Sequence, residues 1–373
     1  MSSMQAVAVF PARREVRLID HPAPEFSSPT QVRLRMLEAG ICGTDREICS
    51  FQYGTPPAGS EYLVLGHESL GQVVEVGAQV TRVKPGDLVV PMVRRPCARP
   101  DCLACRAGRQ DFCSTGEFTE RGINGAHGYL TAEVVDEERY MVPVPAALRE
   151  VGVLTEPLTI AEKALAQVWE VQDRLPWECR HGRGLEPDRT RTAVVLGAGP
   201  VGLLGAMVLR AAGYRTFLYS LGLEAEGRGA LAESIGVTGV PAESVPVTEL
   251  PARVGNIDLV YEATGASRVA FEVLTALGAN GIFVFTGVPG RRGSVELDTD
   301  TVMRDLVLRN QVVLGTVNAG RAAYDAAVRD LARFVERWPG AARGLITRRV
   351  PMEGSLDALQ GRAGGIKTVV ELA

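Results

Sequence analysis

The alternation of hydrophobic and polar positions changes character about halfway along the chain. Before residue 90, short apolar-rich segments alternate with Pro and Gly and show little helical periodicity, as in QAVAVF, QVRLRMLEAG, GQVVEVG and GDLVVPM. This pattern predicts an all-β, barrel-like unit. After residue 191, apolar strand-like runs alternate with helical stretches, which predicts a doubly wound parallel sheet. We therefore predict an α/β protein with a β-rich unit followed by a parallel-sheet unit.

The second half of the chain gives the clearest elements. Strands are predicted at residues 192–196, 216–220, 258–261 and 282–285, and helices at about 203–209 and 229–235. The run AAYDAAVRDLARFVERW has apolar residues at spacings of three and four, so it predicts an amphipathic helix. Residues 344–350 and 367–372 are predicted to be strands that return to the first unit.

A polar connection joins the two halves at residues 171–191. Cys179 and His181 are close enough within it to suggest a pair of metal ligands. Because no third ligand is nearby in the sequence, we interpret them as an incidental pair.

Length and charge limit the classes of protein to consider. The 373 residues exceed the roughly 250–300 at which one core stops growing, so two domains are expected. The net charge of −4, without a Lys/Arg-rich run, argues against nucleic-acid binding. We find neither a signal-like N-terminal stretch nor an uninterrupted apolar segment of membrane length. We expect a cytoplasmic protein with no membrane partner.

Residues 192–205, TAVVLGAGPVGLLG, contain the motif G-x-G-x-x-G between a predicted strand and a predicted helix. Gly197 would permit the tight turn, Gly199 would let a pyrophosphate approach the backbone, and Gly202 would let helix and strand pack closely. Free N–H groups and the helix dipole favour the anion there. We predict dinucleotide binding by this turn, which also includes Pro200 and Val201, while Gly265, after Thr264, and Gly287 close later strands either as cofactor contacts or as simple strand exits.

The choice between NAD and NADP is made at the end of the second strand, about 20 residues after the glycines. An acidic residue there binds the ribose 2′-OH, and an Arg accommodates the 2′-phosphate. Ser220 occupies the position and could bond to either form, whereas Glu224 and Arg228 come slightly late. The sequence predicts an NAD(P) cofactor and leaves the choice between the two forms open.

Two glycine-bracketed segments, GICGTD and GHE, carry Cys42, His67 and Glu68. A thiol, an imidazole and a carboxylate are ligand types that a tetrahedral Zn²⁺ accepts, with one position left open in a catalytic site. The ordinary alternative is that the Cys is a small apolar residue and that the His makes a surface hydrogen bond.

Four further cysteines, Cys97, Cys102, Cys105 and Cys113, lie in a Pro- and Arg-rich loop without an apolar pattern. In a reducing compartment such crowding indicates metal more often than disulfides. Four thiolates can close a structural zinc site, and such a loop has little else to hold it. The competing interpretation is a set of free thiols.

The motifs GICGTD, GHE, the four-cysteine segment, TEPL and GAGPVG occur in an order that resembles the zinc-dependent medium-chain dehydrogenases. The segments VPMVRR, DFCSTGEF, GTVN and IKTVV are similar to those of the archaeal-type glucose dehydrogenase branch. The resemblance implies a GroES-like catalytic domain at residues 1–165, a Rossmann NAD(P)-binding domain at 166–318, and a return to the catalytic domain at 319–373. It also implies a homodimer or homotetramer.

The resemblance further implies two zinc ions per chain and roles for named residues. Cys42 and His67 would bind the catalytic zinc, and Glu68 and Glu156 would complete its shell or exchange within it. Thr44 would pass the alcohol proton toward the nicotinamide ribose, and Asp45 would orient His67. Without the resemblance, Glu156 would be interpreted as a carboxylate at a helix N-terminus.

Sugar-contacting positions of the branch are only partly retained. Thr44, Glu120, Glu156 and Asn318 match, and Asn318 would also lie by the cofactor, whereas Val93 replaces an Asn and Ile160 replaces an Asp. The loss of polar partners disfavours D-glucose, since roughly 1–3 kcal/mol depends on each unsatisfied polar group. The cysteine segment also departs, because its first spacing holds four residues rather than two and Arg99 and Pro100 would bulge.

Three functions are consistent with these observations. The first is a zinc- and NAD(P)-dependent dehydrogenase that acts on the CH–OH or carbonyl of a polyol, a sugar or a sugar-like secondary alcohol. The second is a zinc-independent carbonyl or enone reductase. The third is a non-catalytic NAD(P)-binding protein. Retention of Cys42, Thr44, Asp45, His67 and Glu156 together favours the first.

Overall fold

The computed structural model describes residues 3–176, 190–290, 293–361 and 364–373. Cys179 and His181 lie outside these ranges. The chain divides into two compact units, one formed by Met1–Thr159 with Asn318–Ala373 and the other by Ile160–Val317. The domain boundaries inferred from sequence, at 165/166 and 318/319, stay a prediction.

The described residues form strands and helices that we number in chain order. The strands are β1 (Ser3–Phe10), β2 (Glu15–Pro22), β3 (Gln31–Gly40), β4 (Leu63–Val64), β5 (Glu68–Val76), β6 (Leu88–Pro91), β7 (Arg94–Arg95), β8 (Thr119–Arg121), β9 (Gly125–Ala126), β10 (Glu133–Glu137), β11 (Met141–Val144), β12 (Thr192–Leu196), β13 (Arg215–Ser220), β14 (Thr238–Pro241), β15 (Leu259–Glu262), β16 (Ile282–Phe285), β17 (Val312–Gly315), β18 (Ile346–Pro351) and β19 (Lys367–Glu371). The helices are α1 (Gly43–Cys49), α2 (Leu103–Arg106), α3 (Thr155–Gln172), α4 (Pro200–Ala211), α5 (Arg228–Ser234), α6 (Leu250–Val254), α7 (Ser267–Leu274), α8 (Thr299–Leu308), α9 (Arg321–Arg337), α10 (Pro339–Gly344) and α11 (Ser355–Gln360).

The first unit is built on β-sheets, as its sequence pattern predicts. The largest sheet has the order β11-β6-β5-β3-β19-β18, with β10 also paired to β3, and a smaller sheet has the order β2-β1-β4. Strand β19 pairs antiparallel with β3 and parallel with β18, so a segment from the far end of the sequence lies inside the sheet. This arrangement brings Lys367 into the same unit as Cys42 and His67.

The first unit also contains helix α1, which its sequence pattern does not predict. The residues before 90 show little helical periodicity and predict an all-β unit, yet the second half of the GICGTD motif forms the start of α1. The seven-residue helix is too short to show a hydrophobic period, and only its second half, Ile48 and Cys49, supplies apolar residues to the core.

The second unit contains a six-stranded sheet with the order β14-β13-β12-β15-β16-β17. Every pairing in it is parallel. All five residues of β12 are buried, which is typical of a parallel sheet covered on both faces. The predicted α/β class, with a GroES-like β-rich unit and a Rossmann unit, is confirmed. No helix in the described part of the chain is long and apolar enough to cross a membrane.

Candidate active site and nucleotide-binding turn

Asp45 connects two of the predicted metal ligands. Cys42 is the residue before α1, and its backbone N–H donates to Oδ2 of Asp45 over 2.8 Å. The other oxygen, Oδ1, lies 3.2 Å from Nδ1 of His67. Both side chains of the Asp45–His67 pair are almost fully buried. One carboxylate therefore fixes the start of α1 and the orientation of the imidazole.

The electrostatics of this pair follow from burial and proximity. Burial favours neutral His67, but the charge of Asp45, together with hydrogen bonds that the imidazole donates to Asp45 and Cys42, holds the pKa of His67 well above its ordinary value. Burial would likewise raise the pKa of Asp45, and His67 outweighs that effect and lowers it. The carboxylate is thus kept ionised beside the imidazole.

Glu68 begins β5 and is ion-paired with Lys367 of β19. The Lys367 ammonium also donates to the carbonyl oxygen of Ile41 over 3.0 Å. Both charged side chains are nearly inaccessible to solvent. Burial lowers the pKa of Lys367, but Glu68 and nearby Cys42 more than compensate and raise it, so the Lys367 ammonium stays charged.

Cys42, His67 and Glu68 offer ligand atoms that all lie within 4.8 Å of one another. The sulfur, nitrogen and oxygen donors are those that zinc accepts, and Asp45 supports the imidazole from the outer shell in the manner usual for a metal-bound His. The geometry therefore fits a single metal ion. Among the described residues, Glu156 is not part of this group of donors, and its role as a further ligand stays a prediction.

Glu156 lies in the first turn of α3, so both interpretations of it, helix-terminal carboxylate and site residue, share one location. It is buried, and burial raises its pKa to about 7, with His67 lowering the pKa and Glu68 raising it. These influences place the Glu156 carboxyl within electrostatic reach of the donor group.

The four clustered cysteines form a second group of donors, with all four sulfur atoms within 4.8 Å of one another. A zinc–sulfur distance of about 2.3 Å gives a tetrahedron with edges of about 3.8 Å. The Cys102 and Cys113 sulfur atoms are 3.9 Å apart. The longer first spacing does not prevent this convergence, because Arg99 turns outward and pairs with Asp101 at 3.0 Å on the surface.

Glu120 lies in β8 and is held by two residues. Nε and one terminal nitrogen of Arg94 donate to its Oε1 over 3.1 and 3.0 Å, and the Asn318 amide donates to the same oxygen over 2.8 Å. The guanidinium also lies 3.7 Å from the centre of the Phe118 ring. The carboxylate is therefore oriented through one oxygen. Thr44 is half-buried in the first turn of α1, Val93 is buried, and Ile160 is half-buried one helical turn after Glu156.

The glycine turn of the second unit follows β12 directly and leads into α4. Gly197 has a left-handed φ of 98°, and a Cβ on Gly202 would lie 1.9 Å from the Gly197 carbonyl oxygen. Both positions therefore require glycine. Around Gly199, no neighbouring atom lies within 4 Å of a built Cβ, so the backbone is open to a ligand. Pro200 and Val201 begin α4, where a helix N-terminus favours an anion.

Three predicted cofactor residues from two different strand ends meet at Glu262. Its Oε1 accepts the backbone N–H groups of Thr264 and Gly265 over 2.6 and 2.8 Å, and Oε2 accepts the N–H of Gly287 over 3.1 Å. Glu262 is buried at the end of β15. The loops after β15 and β16 are thus tied together by one carboxylate.

Sequence reasoning assigned no role to Arg94, Lys367 or Glu262. Each is a charged residue at the first or last position of a short strand, and each is buried with partners. A charge in such a run is the available signal, because an ion is rarely buried unless it is paired. The sequence does not indicate which partner it meets.

A GroES-like unit with a Cys–His–Glu donor group, and a parallel-sheet unit with a G-x-G-x-x-G turn, define the medium-chain dehydrogenase class. Residues 28–146 match the alcohol dehydrogenase GroES-like domain, and residues 149–372 match the family described as glucose dehydrogenase C-terminus. The chain belongs to the glucose dehydrogenase family of these enzymes.

Individual relatives agree with this assignment. The chain is 37% identical over 370 residues to glucose 1-dehydrogenase of Methanocella arvoryzae, with 99% of each chain covered. It is equally similar, at 37% over 370 residues and 99% coverage of each, to the enzyme of Thermoproteus tenax. A solved structure of Haloferax mediterranei glucose dehydrogenase, in complex with NADP, Zn and gluconolactone, matches with a TM-score of 0.88 at 31% identity, covering 99% of both chains.

Proposed function

We propose that this protein is a zinc-dependent oxidoreductase that transfers a hydride between NAD(P) and the CH–OH or carbonyl group of a polyol, a sugar or a sugar-like secondary alcohol. The observation that carries the proposal is the convergence of Cys42, His67 and Glu68, with Asp45 paired to His67 and Lys367 paired to Glu68. The relatives named glucose 1-dehydrogenase support the same chemistry.

Cys42, His67 and Glu68 would hold the catalytic zinc, with Glu156 as a further or exchanging ligand. The ion, when bound, acts as a Lewis acid on the substrate oxygen, and the nicotinamide exchanges hydride with the carbon. Asp45 keeps the imidazole in one orientation, and the buried Lys367 ammonium forms an ion pair with Glu68. The Thr44 hydroxyl, in the first turn of α1, would relay the alcohol proton.

The four-cysteine group would hold a second, structural zinc, because its donors are all thiols and none of its positions is left for a substrate. In the second unit, the dinucleotide would bind at the turn formed by Gly197, Gly199, Pro200, Val201 and Gly202. The further cofactor contacts would come from Ser220, Thr264, Gly265, Gly287 and Asn318.

Substrate hydroxyls would be held by Thr44, Glu120, Glu156 and Asn318. Because Arg94 and Asn318 both occupy Oε1 of Glu120, its second oxygen is the one available to accept a hydrogen bond from a hydroxyl. Val93 and Ile160 would face the substrate without hydrogen-bonding groups. We infer a substrate less hydroxylated than D-glucose, or one with an apolar part.

The test is a screen of polyols, aldoses and secondary alcohols with both cofactors, followed by absorbance of the reduced nicotinamide. We expect turnover in the wild type and its loss in Cys42→Ala and His67→Ala, with zinc content falling from two ions per chain to one. Turnover with only one zinc per chain in the wild type would favour the zinc-independent reductase. Cofactor binding without turnover of any substrate would favour the non-catalytic protein.

The substrate inference has its own test. The double variant Val93→Asn, Ile160→Asp restores the polar groups of the glucose dehydrogenase branch, so it should gain activity on D-glucose relative to the wild type. Absence of any gain would refute the argument from the missing polar contacts.

We also propose a homodimer or homotetramer in the cytoplasm. Strand β17 is an edge of the six-stranded sheet, and large apolar side chains on α8 and β17 are exposed: Met303, Val307, Leu308 and Val313. An exposed sheet edge flanked by apolar surface suits pairing with a second copy of the chain. Light scattering of Val307→Asp, Leu308→Asp should show a smaller species than the wild type, and an unchanged mass would contradict this assembly.

A further inference from the structure

The turn after β13 already holds a carboxylate. The backbone N–H of Gly222 donates to Oε1 of Glu243 over 2.5 Å. Strands β13 and β14 are paired so that Ser220 lies opposite Pro241, and the N–H of Ala242 donates to the carbonyl of Ser220 over 3.0 Å. Gly222 and Glu243 are therefore at equivalent positions, each two residues beyond its strand. The register of the sheet therefore places the Glu243 carboxylate beside this turn.

This turn adjoins the glycine motif. The Ser220 hydroxyl accepts the N–H of Ala198, within the motif, over 3.1 Å, and it donates to the carbonyl of Leu221 over 3.0 Å. In a Rossmann unit, the adenosine ribose is recognised at this strand end. With the hydroxyl of Ser220 engaged in both directions, discrimination at the 2′ position falls to the groups that follow it.

Those groups are predominantly acidic. Glu224 and Glu226 follow β13 and Glu243 follows β14, while the one basic side chain in residues 221–228, Arg228, lies 2.5 Å from Glu226. Glu243 stays ionised, because the hydrogen bond from Gly222 lowers its pKa. A 2′-phosphate carries a charge of about −1.5 to −2 at neutral pH, so it would meet like charge here.

We propose that Glu243 is a specificity-determining residue that makes the enzyme prefer NAD to NADP. Its carboxylate occupies the Gly222 amide, a donor that a 2′-phosphate could otherwise use, and it adds negative charge beside that position. A ribose 2′-OH has no charge to be repelled and can donate to a carboxylate. This inference rests on the proposed dinucleotide binding and adds which of the two dinucleotides is preferred.

The experiment is isothermal titration of the zinc-loaded protein with NAD and with NADP, for the wild type and for Glu243→Gln. The glutamine keeps an oxygen that can accept from Gly222 but removes the charge. Glu249→Gln is the matched control, because Glu249 is also an exposed carboxylate of the second unit and pairs instead with Arg253. An unchanged melting temperature would show that each variant is folded.

We expect the wild type to bind NAD at least about tenfold more tightly than NADP, and we expect Glu243→Gln to narrow this ratio by about three- to tenfold. In the wild type, the ratio of NAD affinity to NADP affinity should also decrease at high salt, because salt screens exposed charges. A wild type that prefers NADP, or a ratio that Glu243→Gln leaves unchanged or that Glu249→Gln changes equally, would overturn the inference while leaving the proposed function intact. Failure to bind either dinucleotide would overturn both.

Discussion

Replacement of Asp45 by Asn tests whether one carboxylate organises the donor group. In the wild type, the Cys42 N–H and Nδ1 of His67 face different oxygens of Asp45 at 2.8 and 3.2 Å. An imidazole that binds metal through Nε2 carries its proton on Nδ1, so both groups are donors. An Asn amide has one oxygen and one NH₂ group, so one donor must face another donor.

The size of the effect follows from that mismatch. Loss of the outer-shell partner of a metal-bound His costs about 10- to 100-fold in metal affinity, which corresponds to about 1.4–2.7 kcal/mol. The site is buried, so water cannot readily replace the missing acceptor. We therefore expect Asp45→Asn to lower zinc affinity at the catalytic site within this range and to lower turnover with it.

The assay is competition for zinc between the protein and a chromophoric chelator, combined with metal analysis of the purified protein. The cysteine group lies in a different segment, so Asp45→Asn should retain one zinc per chain there. Asp136→Asn is a suitable control, since Asp136 is also a buried carboxylate of the first unit but pairs with Arg95 and Arg121. Equal zinc affinity in Asp45→Asn and the wild type would refute this reasoning, as would an equal loss in Asp136→Asn.

Three further predictions concern other parts of the structure. Arg94→Met leaves buried Glu120 without its ion partner, so it should lower the free energy of unfolding by about 3–5 kcal/mol and raise KM for the substrate. Adding Glu120→Gln should recover part of that stability in thermal unfolding. If the stability losses of the two single variants simply add in the double variant, the pairing is contradicted. Burial, with the charges of His21 and Arg121, lowers the pKa of His127 to about 4, so its contribution to stability is present above the ordinary value of 6.5 and is lost as the pH falls toward 4. After allowance for the partial exposure of His127, this contribution to the free energy of unfolding amounts to about 1–2 kcal/mol. Urea unfolding at two pH values should show that the free energy of unfolding depends less on pH in His127→Asn than in the wild type. Gly202→Ala should abolish dinucleotide binding, since its Cβ would meet the Gly197 carbonyl, whereas Gly340→Ala, which has open space, should leave binding unchanged.

The Rossmann elements could be predicted from sequence because their signals are local. Strand β12 was predicted at its observed bounds, Thr192–Leu196, since five β-branched or apolar residues end at a glycine turn that only one fold class commonly requires. The family resemblance is likewise confirmed, because it depends on motifs in order rather than on contacts.

The parts that could not be predicted depend on contacts between distant positions. The sequence identifies Glu68 as a candidate zinc ligand and assigns no role to Lys367, because their pairing requires β19 to lie beside β3. Helix α1 was missed because it is only two turns long and begins with a Cys rather than a typical capping residue. The cofactor preference was left open because Glu243 reaches Gly222 from another strand.

The position of β19 has a consequence for biosynthesis. The ammonium that pairs with Glu68 is separated from its acceptor at Ile41 by 326 residues. A ribosome makes the donors Cys42 and His67 well before β19, so Glu68 lacks its counter-charge until Lys367 has been synthesised. Metal capture by the nascent chain should therefore be weak, and full affinity should develop only after this last strand inserts.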